Sequence, residues 1–252
     1  MEAYSADRSL KGKIRRRVAR LIERRASGVR LDRPMISFSF DDAPESAAST
    51  GAALLEERGL RGTYFISAGL AGQEGPMGRN ASMDEVKRLA DAGHEIACHT
   101  HSHLDCGQAS GADADADAER NRDAFVLAGL PEPATFAYPY GDVSIPAKRT
   151  LGQRFALLRG LHHGLIDERA DLNQAPAVGI EGPAGEAVAL RWMDRARRRR
   201  SWLVLYTHDV GDQPSPFGCT PGALERLIDR AVGEGFEVVT VAEGCRRVGA
   251  LR

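Results

Sequence analysis

The run Glu95-Ile96-Ala97-Cys98-His99-Thr100-His101-Ser102-His103 joins a short apolar segment to three imidazoles. The apolar part predicts a buried strand, so the histidines begin where that strand ends. His99 and His103 are four positions apart. On a helix they would stand one above the other with His101 turned away, whereas on a strand all three would line one face. Neutral imidazole is the commonest metal ligand, and three at the end of one element point to a divalent ion. Cys98 alternates away from His99 and reads as buried filler rather than as a ligand.

Working outward, strand-like and helix-like segments alternate from Pro34 onward. Strands are predicted at Met35 to Phe40, Gly62 to Ile66, His94 to Cys98, Thr135 to Tyr138, Ala156 to Arg159, Ala177 to Ile180, Trp202 to Thr207 and Phe236 to Val241. Helices are predicted at Glu45 to Arg58, from the Ser82-Met83-Asp84-Glu85 capping box to Gly93, at Asp113 to Leu127, Ala147 to Phe155, Glu186 to Arg200 and Thr220 to Val232. The acidic opening Asp113-Ala114-Asp115-Ala116-Asp117 lacks the Gly and terminal Glu of a calcium loop and reads as charge opposing the helix dipole. The order β-α-β-α implies a largely parallel sheet, as a barrel or an open doubly wound sheet.

The polar residues choose between them. Asp41-Asp42 follow the first strand, His99 to His103 the third, Pro139-Tyr140-Gly141 the fourth, and His208-Asp209 the strand ending at Thr207. All lie at strand C-terminal ends, which converge on one face in a parallel β/α barrel, the face where active sites sit. The fold class expected is therefore α/β, an irregular (β/α) barrel of about seven strands.

The chain has 252 residues, a formal net charge of −1, 42% apolar and 27% charged residues. That length suits one core domain, and the charge balance supplies no field to recruit nucleic acid. The basic end Arg195 to Arg200 has no interleaved aromatics and suits the negative pole of its helix instead. The four cysteines, 98, 106, 219 and 245, form no Cys-x-x-Cys pair and no disulfide framework. No apolar run reaches about 18 residues, so no spanning helix is expected. The opening Met1-Glu2-Ala3-Tyr4-Ser5-Ala6-Asp7 carries neither a basic nor an apolar signal region and reads as cytoplasmic. Residues 1–33 form a separate basic extension, with Ile14, Val18, Leu21 and Ile22 on one helical stripe, ahead of a main domain at 34–252. Such a helix packs on the domain or on a second copy of the chain, or lies on the inner face of an anionic membrane.

The four motifs together resemble the polysaccharide deacetylases with the NodB homology domain, carbohydrate esterase family 4, from about Pro34 to Gly244. Ser39-Phe40-Asp41-Asp42 is similar to the family's first motif, His99-Thr100-His101-Ser102-His103 to its second, Phe136-Ala137-Tyr138-Pro139-Tyr140-Gly141 to its third and Leu205-Tyr206-Thr207-His208 to its last. The resemblance implies Asp41 as catalytic base, Asp42, His99 and His103 as metal ligands, and His208 as the acid protonating the leaving amine. It further implies the Tyr140 backbone N–H as oxyanion donor and Leu205, with Pro139, lining the pocket for the acetyl methyl. The ion would be Zn, with Co, Fe, Ni or Mn also accommodated by two imidazoles and a carboxylate; its bound water can fall to a pKa of about 7. His101 occupies a variable position and is expected in a supporting or surface role; His162 and His163 read as solvated loop residues.

The sequence departs from the family pattern in three places. Ala43 replaces a common Gly. Ala137 stands where the third motif carries an Arg that pairs with the catalytic Asp, and Arg159, ending the next strand, is the candidate to supply that charge. The fourth motif has no clean match; Asp171 is the candidate to orient His208, with Asp209 turned away. The expected function is removal of N-acetyl groups from amino sugars of a polysaccharide or of a lipid-linked glycan precursor in exopolysaccharide, capsule or holdfast synthesis. A deformylase or cyclic-amide hydrolase on the same scaffold is the rival enzyme; a non-catalytic glycan-binding module is the other rival, disfavoured because binding alone needs neither base nor acid.

Overall fold

The computed structural model describes residues 12, 17–28 and 30–251. Its main sheet comprises β1 (Met35–Asp41), β2 (Thr63–Ile66), β3 (Glu95–Cys98), β4 (Thr135–Ala137), β5 (Leu157–Arg159), β6 (Val178–Gly179), β7 (Trp202–Thr207) and β8 (Glu237–Val238). The order across the sheet is β5-β4-β3-β2-β1-β7-β6, with β8 also paired to the start of β1, and every pairing is parallel. The two ends of this order approach each other through one extended segment. Ala175 exchanges hydrogen bonds with the β5 end (Ala175 N to Leu158 O, 2.7 Å; Gly160 N to Ala175 O, 2.8 Å), and three residues later Val178 pairs with Leu205. The sheet is thus a curled, partly open barrel, as the strand-end argument predicted.

Strand β1 shows why the barrel closes this way. Its sequence alternates, yet every residue is buried. Ile36, Phe38 and Phe40 face the helices and share a core with Leu55, Leu203, Leu205 and Leu224. Met35, Ser37, Ser39 and Asp41 face the other way, toward Phe65, Ala97, Ala137, Trp202, Val204 and Tyr206. The serines are small enough for that confined interior and find partners there: Trp202 Nε1 donates to Ser37 Oγ at 2.9 Å, and Ser39 Oγ donates to the Leu205 carbonyl at 2.9 Å. Alternation that would mean water on one face of an isolated sheet here means a narrow barrel interior.

The helices are α1 (Ala52–Glu56), α2 (Met83–Asp91), α3 (Gly111–Leu127), α4 (Ile145–Gly152), α5 (Gly185–Arg199), α6 (Pro221–Gly233) and α7 (Val241–Arg247). The Ser82 capping box forms in full, and Thr220 caps α6 with Pro221 in its first turn. Two expectations are corrected. The helix foreseen over residues 45–58 carries a π-helical stretch, Ala47–Gly51, ahead of α1, which ends at Glu56. The last strand stops at Val238 rather than 241, because Thr240 caps α7 by accepting from Glu243 N. The Val241 and Ala242 amides are also satisfied, by Thr63 Oγ1 and Glu95 Oε2, so the chain gains more from a helix start than from more strand. Helix α7 packs beneath the barrel, where a Cβ on Gly244 would lie 2.3 Å from the Trp202 ring.

The predicted N-terminal stripe falls partly outside the described residues, Ile14 included. Residues 17–28 pack on the main domain: Ala19 is buried, Ala26 bridges to Asp171, and Arg25 donates to the carbonyls of Gly152, Phe155 and Ala156. Leu21 and Ile22 remain 71% and 40% exposed. No helix among the described residues is long and apolar enough to cross a membrane.

Candidate active site

At the C-terminal end of the barrel the backbone departs from strand geometry in a concentrated way. Asp42, Ala43, Thr100, His103 and Tyr140 all have positive φ, between 45° and 60°, a conformation that non-glycine residues adopt at a cost. On a continuing strand Asp41 and Asp42 would point to opposite faces. The left-handed turn at Asp42 breaks that alternation and lets adjacent carboxylates serve one site.

Asp42, His99 and His103 form a cluster whose ligand atoms all lie within 4.8 Å of one another. Asp42 Oδ1 is 3.4 Å from His103 Nε2 and 3.8 Å from His99 Nε2, and it is buried with no hydrogen-bond partner among the described residues. An orphaned carboxylate oxygen facing two imidazole nitrogens fits a divalent cation, since ligand bonds of about 2.0–2.2 Å subtend separations of this size. The imidazoles are prepared for it. His99 Nδ1 donates to the Ala137 carbonyl at 2.8 Å, so Nε2 carries the lone pair toward the cluster. Burial pushes the His99 pKa down to about 4, which keeps the ring neutral.

Helix α3 holds this loop from behind. The buried Asp117 carboxylate accepts from the His101 and Ser102 amides at 2.8 and 2.9 Å and from the Ser102 hydroxyl, while Arg120 pairs with it. One turn on, Asn121 accepts from Ala68 N and donates to the Ile66 carbonyl and to Cys98 Sγ. Thr100 Oγ1 closes the loop by accepting from Leu104 N at 2.8 Å. The acidic run at 113–117 does open a helix, but its last member also braces the histidine loop. His101 directs its backbone N–H to Asp117 and sets its ring against Gly69, outside the ligand cluster. Cys98 is buried with its thiol pKa raised to about 12, chiefly by burial.

Asp41 is 3% exposed and receives Arg159 Nη2 on Oδ2 at 2.5 Å; its Oδ1 has no hydrogen-bond partner among the described residues. Burial is the largest influence and would raise this carboxyl's pKa, but Arg159, His99 and His208 together outweigh it and hold it ionised. Arg159 is fully buried, its guanidinium 5.1 Å from the Phe65 ring centroid and 5.0 Å from that of Tyr206. It is the register partner of Ala137. The cation absent from position 137 therefore comes from the same level of the neighbouring strand, through the space that the small Ala137 side chain leaves.

His208 lies 15% exposed, with Nδ1 3.2 Å from Glu181 Oε1 and 3.2 Å from the Phe217 carbonyl. Burial alone would lower its pKa; the hydrogen bond to Glu181 and the charges of Asp41 and Asp42 reverse this and raise it to about 9. Asp171 does not orient His208. It accepts from Lys148 Nζ at 2.6 Å and from Arg25 N at 2.9 Å, fastening the N-terminal segment to α4. Nor does Leu205 line the pocket: strand alternation turns it into the helix-facing core, and Tyr206 points inward instead, its hydroxyl 3.3 Å from Glu181 Oε2. Glu181 is legible by the strand-end rule, since it follows β6 by two residues, and it takes the orienting role expected of Asp171. The Tyr140 ring packs edge-on against His103 at 4.5 Å, and Pro139 is buried beside it. Asp209 turns away from His208 and caps its own loop through Ser215. His162 is partly buried, which pushes its pKa down to about 4, and His163 meets the Trp192 ring at 6.1 Å.

Replacing Glu181 by Gln tests the His208 assignment. A general acid must be protonated in the free enzyme, so kcat/KM should hold below about 9 and fall as pH rises through that value. Without the Glu181 charge this alkaline limb should move down toward the ordinary imidazole value of 6.5. An unmoved limb would assign it to another group.

The sequence profile of the family described as polysaccharide deacetylase matches residues 28–154. No curated protein sequence matches the chain. Among solved structures it is similar to the chitin deacetylase of Colletotrichum lindemuthianum (18% identity, TM-score 0.62, covering 88% of this chain and 92% of that one). It is similar to a family 4 acetyl xylan esterase from Clostridium thermocellum in complex with a cobalt ion (18%, 0.61, 86% and 93%). A third is the Xyl-CE4 domain of a multidomain xylanase from the hindgut metagenome of Trinervitermes trinervoides (19%, 0.58, 86% and 92%). With the strand-end cluster, the curled parallel sheet and the matched profile in agreement, the chain belongs to the polysaccharide deacetylase family.

Proposed function

We propose that this protein is a metal-dependent deacetylase that removes N-acetyl groups from amino sugars of a polysaccharide or of a lipid-linked glycan precursor. The observation that carries this reading is the pairing of His208 with Glu181. An amide nitrogen leaves only if it is protonated, and an imidazole whose pKa stands at about 9 is charged and ready at neutral pH. An ester oxygen makes a weaker demand on such an acid, so the His208–Glu181 pairing supports N-acetyl rather than O-acetyl groups as the target.

Asp42, His99 and His103 would hold a divalent ion, for which zinc suits the donor set, and that ion would supply Lewis-acid activation of water and of the acetyl carbonyl. The chain's own residues do the rest. Asp41 Oδ1 accepts the proton of the attacking water while Oδ2 stays on Arg159. The Tyr140 backbone N–H is the proposed donor to the developing oxyanion. His208 then passes its proton to the departing amine, and Glu181 steadies the ring. Asp41 and His208 are near enough for each to shift the other's protonation, as expected of a base and an acid working across one substrate.

The test is acetate release from N-acetylglucosamine oligomers, acetylated xylan and membrane-embedded glycan lipids, with and without a chelator. Acetate from the N-acetylated substrates, lost on chelation and restored by zinc or cobalt, is the expected result. Formate from N-formyl sugars, or release from xylan alone, would replace the reading. Comparing the full chain with one lacking residues 1–33 on the glycan lipids tests whether the basic extension holds the enzyme at the membrane; equal rates would sink that part.

A further inference from the structure

The loop after His208 carries a feature that the chemistry of acetyl removal does not use. Among the described residues the exposed large apolar side chains are Leu21, Ile22, Val126, Leu127, Phe217 and Val232, and Phe217 is the one aromatic ring in that group. Val126, Leu127 and Val232 sit at the C-terminal ends of α3 and α6, toward the closed end of the barrel. Phe217 instead stands at the catalytic end, 48% exposed, its ring centroid 5.8 Å from that of His208.

We infer that Phe217 is a sugar-binding platform that receives the apolar face of the amino-sugar ring bearing the acetyl group. This role for Phe217 rests on the deacetylase reading. The nitrogen protonated by His208 is attached directly to that sugar ring, so the ring must lie beside the imidazole, where Phe217 is. A pyranose presents a face of C–H bonds with slightly positive hydrogens, complementary to the negative face of an aromatic ring. A sugar ring laid over Phe217 would take part of its exposed apolar surface out of water, a favourable contribution to binding.

The loop is built to hold the Phe217 backbone in place beside His208. Asp209 is 8% exposed and accepts from Ser215 N at 2.7 Å and from Ser215 Oγ at 2.5 Å. Ser215 Oγ in turn accepts from Phe217 N at 3.1 Å. The Phe217 carbonyl accepts from both His208 N and His208 Nδ1 at 3.2 Å, so platform and acid are tied together. A Cβ on Gly218 would come within 2.4 Å of Asp209 Oδ1, which ties the tight turn to glycine. The Cys219 amide returns to the Asp209 carbonyl at 3.0 Å, closing the loop. A loop backbone fixed before binding forfeits little entropy when sugar arrives, the condition under which stacking contributes most.

The experiment uses the zinc-loaded full chain and the N-acetylglucosamine tetramer, comparing wild type, Phe217→Ala and Phe217→Trp. In saturation-transfer NMR, the sugar's ring-face protons should receive saturation from the wild type and from Phe217→Trp. Phe217→Ala should bind the tetramer about tenfold more weakly. In steady-state acetate release the same substitution should raise KM by about that factor with a much smaller change in kcat, and Phe217→Trp should restore KM. A purely structural role would lower kcat through a displaced His208 and would not be rescued by Trp. Equal tetramer affinity in wild type and Phe217→Ala, or no tetramer binding by the wild type, overturns the platform. Binding without any acetate release would leave the platform standing and remove the deacetylase reading instead.

Discussion

Asp41→Asn should abolish turnover, by roughly 10³-fold or more, while the protein still binds one divalent ion. The Asn side chain keeps an oxygen that can accept from Arg159 Nη2, but it no longer neutralises that buried guanidinium, so this variant should lose stability as well as turnover. What disappears is the capacity of Oδ1 to take a proton, the one atom of this carboxylate with no hydrogen-bond partner among the described residues. Asp42 Oδ1, His99 Nε2 and His103 Nε2 are untouched, so metal stoichiometry measured by elemental analysis should stay at that of the wild type. If Asp41→Asn instead lost its metal and Asp42→Asn kept it, the roles of the two aspartates would be reversed.

Arg159→Ala should damage stability and turnover together. The pair is buried on both sides, with Arg159 wholly enclosed and Asp41 3% exposed. Removing one partner strands a charge in the barrel interior, a change that costs about 3–5 kcal/mol. For a chain of this size that lowers Tm by roughly 10 °C. Asp41 would then face burial, the largest influence on it, without the guanidinium that opposes it. Its pKa should climb and the base should be lost through protonation as pH falls, moving the acid limb of kcat/KM upward. Arg159→Lys should recover only part of either effect. An ammonium keeps the charge, but it neither reaches in a planar fork nor stacks between Phe65 and Tyr206. An unaffected rate in Arg159→Ala would remove this residue from the active site, whereas metal content should not change in either case.

These two predictions differ in how far they could be reached from the amino-acid sequence. Asp41 belongs to a contiguous motif at the end of a strand, and contiguous motifs are read directly. Arg159 was a candidate only because Ala137 lacked a cation and the next strand ended in one. The structure supplies the reason it can serve, since residues 137 and 159 are register partners on neighbouring parallel strands. The same logic failed for Asp171, which looked well placed along the chain but is consumed by Lys148 and Arg25. Leu205 was implied by the family resemblance alone, and strand alternation assigned the inward position to Tyr206 instead.

The sequence by itself determined what depends on neighbours along the chain: the alternation of strands and helices, the helix caps, the barrel topology inferred from polar residues at strand ends, and the Asp42-His99-His103 cluster. The first three follow from local periodicity, local capping and the rule that parallel strand ends share one face, and the ligand set from the motifs' resemblance to the family. Only the tertiary structure decided who pairs with whom across the barrel: Arg159 with Asp41, Glu181 with His208, Asp117 with the histidine loop, and Phe217 beside the acid. Those partnerships depend on strand stagger, on which way a side chain turns at a strand's last residue, and on left-handed turns that reset the alternation. None of these has a period or a cap that can be seen in one dimension.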